Sequence, residues 1–272
     1  MAEAGELAAA GVLRPPLKWA WGKRWLTPHL QPIWTPYQDC RLVEPLCGGL
    51  AVSLGLMPER ALLNDINPHV VNFYRWLQAG LTPVLPMRNE AELYYEYRKQ
   101  FNALIRDGQA DSTTAAELFY YLNRTGYNGL CRFNRSGEFN VPFGRHKTIT
   151  YGTNFADYLT AFAAWDFFCK DFESLALNPT DFIYADPPYD VTFTQYAQGG
   201  FGWDDQVRFA TWLVHHPGPV VLSNQATGRI VRLYEQLGFT LTYLQAPRRI
   251  SCNGDRTPAR EVLAMRNVMR NA

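Results

Sequence analysis

Cysteine is scarce in this chain and nowhere paired. The five residues Cys40, Cys47, Cys131, Cys169 and Cys252 are odd in number, scattered and never spaced C-x-x-C. That argues against a disulfide framework and a thiolate zinc site, and fits a reducing cytosol. No cysteine follows a proline, so the Pro-Cys nucleophile of ring-carbon methylation is missing. No apolar run approaches the ~18 residues of a membrane span. Residues 2–13 hold Glu3 and Glu6 and no basic residue, so they read as a frayed lead-in and not as a secretory leader. A G-x-G-x-x-G run is also lacking, which disfavours a dinucleotide. His215 and His216, just before Pro217, read as a helix end and not as metal ligands. No metal is expected.

What is present is ample core material. The 272 residues are 47% hydrophobic and 14% aromatic, enough for one large α/β domain or a domain carrying an insertion. Net charge is only +1, but it is unevenly distributed. Residues 121–150 hold Arg124, Arg132, Arg135, Arg145 and Lys147 against Glu138 alone, a balance of +4. Residues 151–205 hold nine carboxylates against Lys170, a balance of −8. Further basic segments lie at residues 14–24 and 248–260. Arginine-rich blocks interleaved with Tyr, Asn and Gly resemble a phosphate-tracking surface, although a solvated face could show the same pattern.

The most informative segment is Asp186-Pro187-Pro188-Tyr189 after the apolar run Phe182-Ile183-Tyr184-Ala185. Proline nitrogens carry no hydrogen, so the carbonyls of Ala185 and Pro187 join the Asp186 carboxylate as acceptors for a planar amine. Adenine's exocyclic nitrogen is such an amine, and Tyr189 offers its ring a face. A strand-ending proline turn with a solvated Asp and a packing Tyr is the plainer reading.

Strand, glycine turn, helix, strand and acid follow one another across residues 39–45, Leu46-Cys47-Gly48-Gly49, 51–56 and 61–67. This is the layout of the first nucleotide-binding unit of a doubly wound sheet. Asp65 closes the second strand, where it can hold ribose hydroxyls or cap the next helix. Helical spacing recurs at residues 68–81, 89–106 and 115–122. A hairpin is expected from Arg132-Phe133-Asn134 through Ser136-Gly137 to Phe139-Asn140-Val141, with Arg132 able to pair with Glu138 across it. Residues 182–185 resume the sheet. They are followed by a helix at 204–215, a strand at 219–224, a helix at 230–238 and a strand at 239–244.

Together these segments resemble the Dam-type DNA adenine methyltransferases of the D12 class, from about Leu17 to Met265. The resemblance is carried by Leu17-Lys18-Trp19-Ala20-Trp21-Gly22-Lys23-Arg24, Val43-Glu44-Pro45, Asn64-Asp65-Ile66-Asn67 and the block from Tyr121 to Gly144 (YLNRTGYNGLCRFNRSGEFNVPFG). Asp186 to Tyr189, Leu222-Ser223-Asn224 and residues 248–254 complete it. It implies an α/β fold: a Rossmann-like methyltransferase sheet (14–68 and 151–272) with an inserted helical target-recognition domain (69–150) carrying the hairpin. It further implies S-adenosylmethionine as methyl donor and transfer to adenine N6 in double-stranded DNA, within GATC or a related longer site; the alternative is a sequence-specific DNA-binding protein that has lost activity. A cytoplasmic monomer is expected.

By position, Trp19, Lys23, Asp65 and Asp186 match donor-binding residues, and the turn holding Glu44, Cys47 and Gly48 lies beside the donor. Asp186, Pro187, Pro188 and Tyr189 match the catalytic tetrapeptide. Lys18, Tyr127, Asn128, Leu130, Arg132 and Pro142 match base-reading positions. Arg124, Asn134 and Arg145 are expected to be structural or phosphate-facing. Two departures stand out, since the family has Gly where this chain has Trp21 and Leu50. Glycine serves close approach or positive φ, so Leu50 is expected to narrow the donor pocket or shift the helix start.

Overall fold

The computed structural model describes residues 13–19, 22–190, 200–247 and 259–269. Seven strands form one sheet: β1 (Leu42–Glu44), β2 (Ala61–Asn64), β3 (Trp165–Phe168), β4 (Phe182–Ala185), β5 (Val220–Gln225), β6 (Thr240–Ala246) and β7 (Ala259–Arg266). Their order is β3-β2-β1-β4-β5-β7-β6. The first five run parallel, while β7 lies antiparallel between β5 and β6. The chain order reverses between β1 and β4, which opens a crevice at the carboxyl ends of those two strands. This is the Rossmann-like sheet expected from the sequence.

The helices are α1 (Thr27–Trp34), α2 (Ser53–Leu56), α3 (Pro68–Gln78), α4 (Ala91–Arg106), α5 (Thr113–Thr125), α6 (Ala156–Ala161), α7 (Trp203–Val214) and α8 (Gly228–Gln236). Side-chain alternation along the buried strands divides the core between the two faces of the sheet. Leu42, Leu63, Phe182 and Tyr184 join one cluster with α1, α3, α4 and α5. Val43, Leu62, Ile183 and Ala185 join the other with Phe209 and Leu213 of α7 and Ile230 and Tyr234 of α8.

Several elements differ from the sequence expectation. β3 occurs where none was expected, so α4 and α5 lie between β2 and β3 and not between β2 and β4. Asp166 interrupts its apolar residues, so no continuous apolar run marks it. α1 was also unexpected; its Pro28 lies in the first turn, where a missing N–H costs nothing. β7 was missed as well. Asp65 does not cap α3, since Asn67 takes that role by accepting from the His69 N–H at 3.0 Å.

The expected hairpin shrinks to a single bridge, Phe133 to Phe139. It is held from outside instead. Asn102 of α4 donates to the Phe139 carbonyl and accepts from its N–H, and Tyr94 and Arg98 both donate to the Val141 carbonyl. Phe133 stacks on His69 of α3 with ring centroids 4.7 Å apart. Arg132 bonds Asn140 at 2.8 Å, while Glu138 pairs with Arg106. The alternative in which Arg132 pairs with Glu138 is therefore not what the structure shows.

At the edge of the sheet, α3 reaches across to β3. Arg75 donates to the Phe167 carbonyl, and Gln78 donates to those of Phe162 and Trp165.

Candidate active site

The residues after β1 turn sharply. Gly48 has φ +46° and Leu50 has φ +58°. Leu50 therefore stands in the backbone geometry that favours glycine, and its side chain is fully buried in the core. Left-handed backbone costs a non-glycine residue ~1–2 kcal/mol, an amount that burying a leucine, ~1.5–3 kcal/mol, offsets. The expected shift in helix start takes the form of a turn over 50–52, with α2 beginning at Ser53.

The Trp19 ring lies against this turn. A Cβ on Gly48 would come within 2.7 Å of Trp19 Nε1, and one on Gly49 within 2.7 Å of Trp19 Cβ. Asp65, at the end of β2, accepts from the N–H groups of Gly48 (3.0 Å) and Asn67 (2.9 Å). It thereby ties the turn after β1 to the start of α3. Cys47 is buried and its N–H bonds the Asn64 carbonyl at 2.7 Å. Burial pushes its thiol well up, so it is a packing residue and not a nucleophile.

Asp186 follows β4 directly across the crevice. Its Oδ1 accepts from Ser223 of β5 at 2.9 Å and lies 3.3 Å from the Lys23 ammonium. The Ser223 hydroxyl also meets that of Tyr184 at 2.8 Å. Lys23 donates to Glu261 of β7 at 2.7 Å and to the Tyr189 hydroxyl at 2.8 Å. The Tyr189 hydroxyl in turn bonds Glu261. The tetrapeptide is fixed from behind as well. Gln206 of α7 donates to the Pro188 carbonyl at 2.6 Å, and Asn224 of β5 donates to Gln206 Oε1. Pro187 is buried.

Carboxyl groups outnumber cations here. Glu44 is buried and accepts both the N–H and the hydroxyl of Ser53. Burial raises its pKa to about 8. Burial likewise raises Asp65, Asp186 and Glu261, with Lys23 pulling the last two back down. Asp186 and Glu261 thus share Lys23, while the carboxyl groups of Glu44 and Asp65 stand at the ends of β1 and β2. Such a set fits a cationic ligand, and a sulfonium that also carries an ammonium is one.

Lys23, Asp186 and Tyr189, expected from sequence, are brought together. Glu261, Ser223 and Gln206 complete the cluster and were not expected as site residues. Ser223 lies within Leu222-Ser223-Asn224, one of the segments that carry the family resemblance. Nothing local marks Glu261, since β7 was itself missed.

Around the connection between α5 and β3, a second group gathers. Asn123 clamps the Lys18 backbone, accepting its N–H at 2.7 Å and donating to its carbonyl at 2.8 Å. The Lys18 ammonium bonds the Arg124 carbonyl at 2.8 Å, and burial lowers its pKa to about 8. Tyr127 is half-exposed, and its N–H bonds the carbonyl of exposed Pro142 at 3.0 Å. Asn128 has φ +52° and Arg145 has φ +49°. Leu130 is part-buried, whereas Arg132 and Arg145 are exposed. Asn134 is taken up by its own turn, accepting from the N–H groups of Ser136 and Glu138.

Arg124 points inward, bonding the carbonyls of Thr150 and Pro16. Trp21 and residues 248–254 fall outside the described residues. Arg124→Met is expected to lower stability by about 1.5–3 kcal/mol, the scale of hydrogen bonds from a charged donor, as read by chemical denaturation. The salt slope of duplex binding should stay unchanged. A slope flattened by about one charge at unchanged stability would return Arg124 to phosphate contact.

A family-wide sequence profile described as "D12 class N6 adenine-specific DNA methyltransferase" matches residues 19–250. A DNA adenine methylase of Vibrio cholerae is 36% identical over 271 residues, spanning 92% of this chain and 94% of that one. The DNA adenine methylase of Escherichia coli K12 is 36% identical over 270 residues, with the same coverage. A DNA N-6-adenine-methyltransferase of Escherichia phage P1 is 34% identical over 277 residues, covering 94% of this chain and 36% of that larger protein. With the tetrapeptide at the sheet reversal and this similarity along nearly its whole length, the chain belongs to the D12 class of N6 adenine-specific DNA methyltransferases.

Proposed function

We propose that this chain uses S-adenosylmethionine to methylate N6 of adenine in double-stranded DNA, within GATC, acting as a cytoplasmic monomer. Its main support is the surplus of carboxyl groups at the crevice, set beside a tetrapeptide rich in acceptors. S-adenosylmethionine, when bound, supplies an electrophilic methyl group on a positively charged sulfur. The turn of Glu44, Cys47 and Gly48, with Trp19 against it, would hold the donor on one side; Asp65 would take its ribose hydroxyls. Lys23 and Asp186 would bound it on the other.

Adenine must leave the duplex, because pairing occupies its amino group within the stack. Flipping costs a few kcal/mol, offset by DNA contacts and by stacking on Tyr189. The Asp186 carboxylate and the Pro187 carbonyl then accept from the amino group and aim its lone pair along the displacement axis. Fixed acceptors and alignment carry the catalysis. The segments 69–150 would form the recognition domain. Lys18, Tyr127, Asn128, Leu130, Arg132 and Pro142 would face the bases, and Arg145 the backbone.

Asp186→Ala should slow single-turnover methylation of a GATC duplex by about 10²-fold or more, the scale of a lost electrostatic contact. Duplex affinity should be retained. A near wild-type rate would remove Asp186 from the mechanism.

Donor binding should release protons. Glu44, with its pKa at about 8, is largely protonated at pH 7, and an approaching cation favours its ionised form. Affinity should therefore rise from pH 6 to pH 8. Calorimetry in buffers of different ionisation enthalpy reads the released protons. Affinity flat across that range would separate these carboxyl groups from the donor.

Arg132 is exposed and follows the loop of Tyr127 to Leu130, so it can reach the major groove, where arginine suits a guanine edge. Arg132→Ala should cost ~1–3 kcal/mol of discrimination at the fourth base pair of the site and leave the methylated base unchanged. Methylation of a randomised oligonucleotide library measures this. A uniform loss over all sequences would mean a phosphate contact instead.

A further inference from the structure

Glu261 is a charged side chain in the deepest part of the site, 2% exposed, and no step above uses it. Its Oε1 accepts from the Lys23 ammonium at 2.7 Å and from the Tyr189 hydroxyl. Its Oε2 is buried and finds no hydrogen-bond partner among the described residues. A buried carboxylate with one oxygen unsatisfied is costly, on the scale of several kcal/mol for the ion before compensation. Such a group persists where another requirement holds it in place.

The geometry identifies that requirement. Lys23 sits in a short 3-10 turn near the amino terminus, Tyr189 follows β4 and Glu261 lies on β7. These three meet at one point, although they are 166 and 72 residues apart in sequence. The Tyr189 hydroxyl donates to Glu261 and accepts from Lys23, so the outer end of the ring is held in place at its hydroxyl oxygen. β7 is anchored independently of the site by its ladder with β5, where Glu261 stands opposite Gln225, and by its ladder with β6, where it stands opposite Leu244. The anchor is thus rigid and the aromatic ring is attached to it.

We propose that Glu261 is a positioning residue for methyl transfer: it fixes the Tyr189 ring as a preformed stacking face for the flipped adenine, and holds Lys23 against Asp186. The inference rests on the adenine-flipping reading above. It goes further in assigning a role to a residue outside the tetrapeptide, on the one antiparallel strand of the sheet's interior. Its physical basis is that misplacement of a positioned group by about 1 Å can cost 10²-fold in rate.

The test is a double-mutant cycle of Glu261→Gln and Tyr189→Phe in the full chain, with single-turnover methylation of a GATC duplex at saturating S-adenosylmethionine and DNA. Glutamine keeps the shape of the side chain; phenylalanine keeps the ring and loses only the hydroxyl. Glu261→Gln should slow transfer by about 10–100-fold, with the duplex dissociation constant within about twofold of wild type and the melting temperature of the free protein retained. The double variant should be slowed no further than Glu261→Gln alone, within about twofold, because each change removes the charge-assisted bond from the Tyr189 hydroxyl to Glu261. Losses that multiply would overturn the inference, since Glu261 would then act independently of the Tyr189 hydroxyl. A wild-type rate for Glu261→Gln would overturn it directly. If Glu261→Gln melts early, Tyr189→Phe alone decides: a rate unchanged from wild type would show that the hydroxyl tether does no positioning. Wild-type protein that leaves the duplex unmethylated would instead refute the underlying functional reading.

Discussion

One buried ammonium organises this molecule. Lys23 is enclosed by Asp186, Glu261 and the Tyr189 hydroxyl, and it is almost inaccessible to water. A lone charge there would be prohibitive, and two carboxylates without it would repel each other. The three charges are therefore mutually obligatory. They join a segment before α1, the strand that carries the tetrapeptide and the strand that runs antiparallel to its neighbours. The crevice at the sheet reversal takes its shape from that junction.

Much of the architecture could be read in the sequence because hydrophobic runs and turn residues are local signals. β1, β2, β4, β5 and β6 announce themselves as apolar runs, and α3 to α5, α7 and α8 by their spacing. β3 and β7 do not. β3 is four residues with a mixed pattern, and β7 follows a polar segment that obscures its start. What stayed hidden in the site follows from the same cause. Lys23, Asp65, Asp186 and Tyr189 lie beside motifs that point to them, whereas the meaning of Glu261 depends on a strand pairing that no local pattern encodes.

Leu50 shows how a sequence can depart from its family and keep the geometry. The turn demands positive φ, and the leucine takes it while placing its side chain wholly in the core. Stored backbone strain and gained packing oppose each other at one residue. The turn is accordingly set from two directions, by Leu50 below and by the Trp19 ring and the Asp65 carboxylate above. A backbone so constrained has little freedom to rearrange when a ligand arrives, which favours a binding surface formed in advance.

The side chains that α3 extends over β3 have a consequence for how copies of the protein meet. An outermost strand ordinarily exposes a row of main-chain acceptors that can template another strand. Here Arg75 and Gln78 already occupy the carbonyls of Phe167 and Trp165. The helix thus does the work of an absent eighth strand without adding one. Two main-chain acceptors on that border are therefore already taken and unavailable to a strand from another copy.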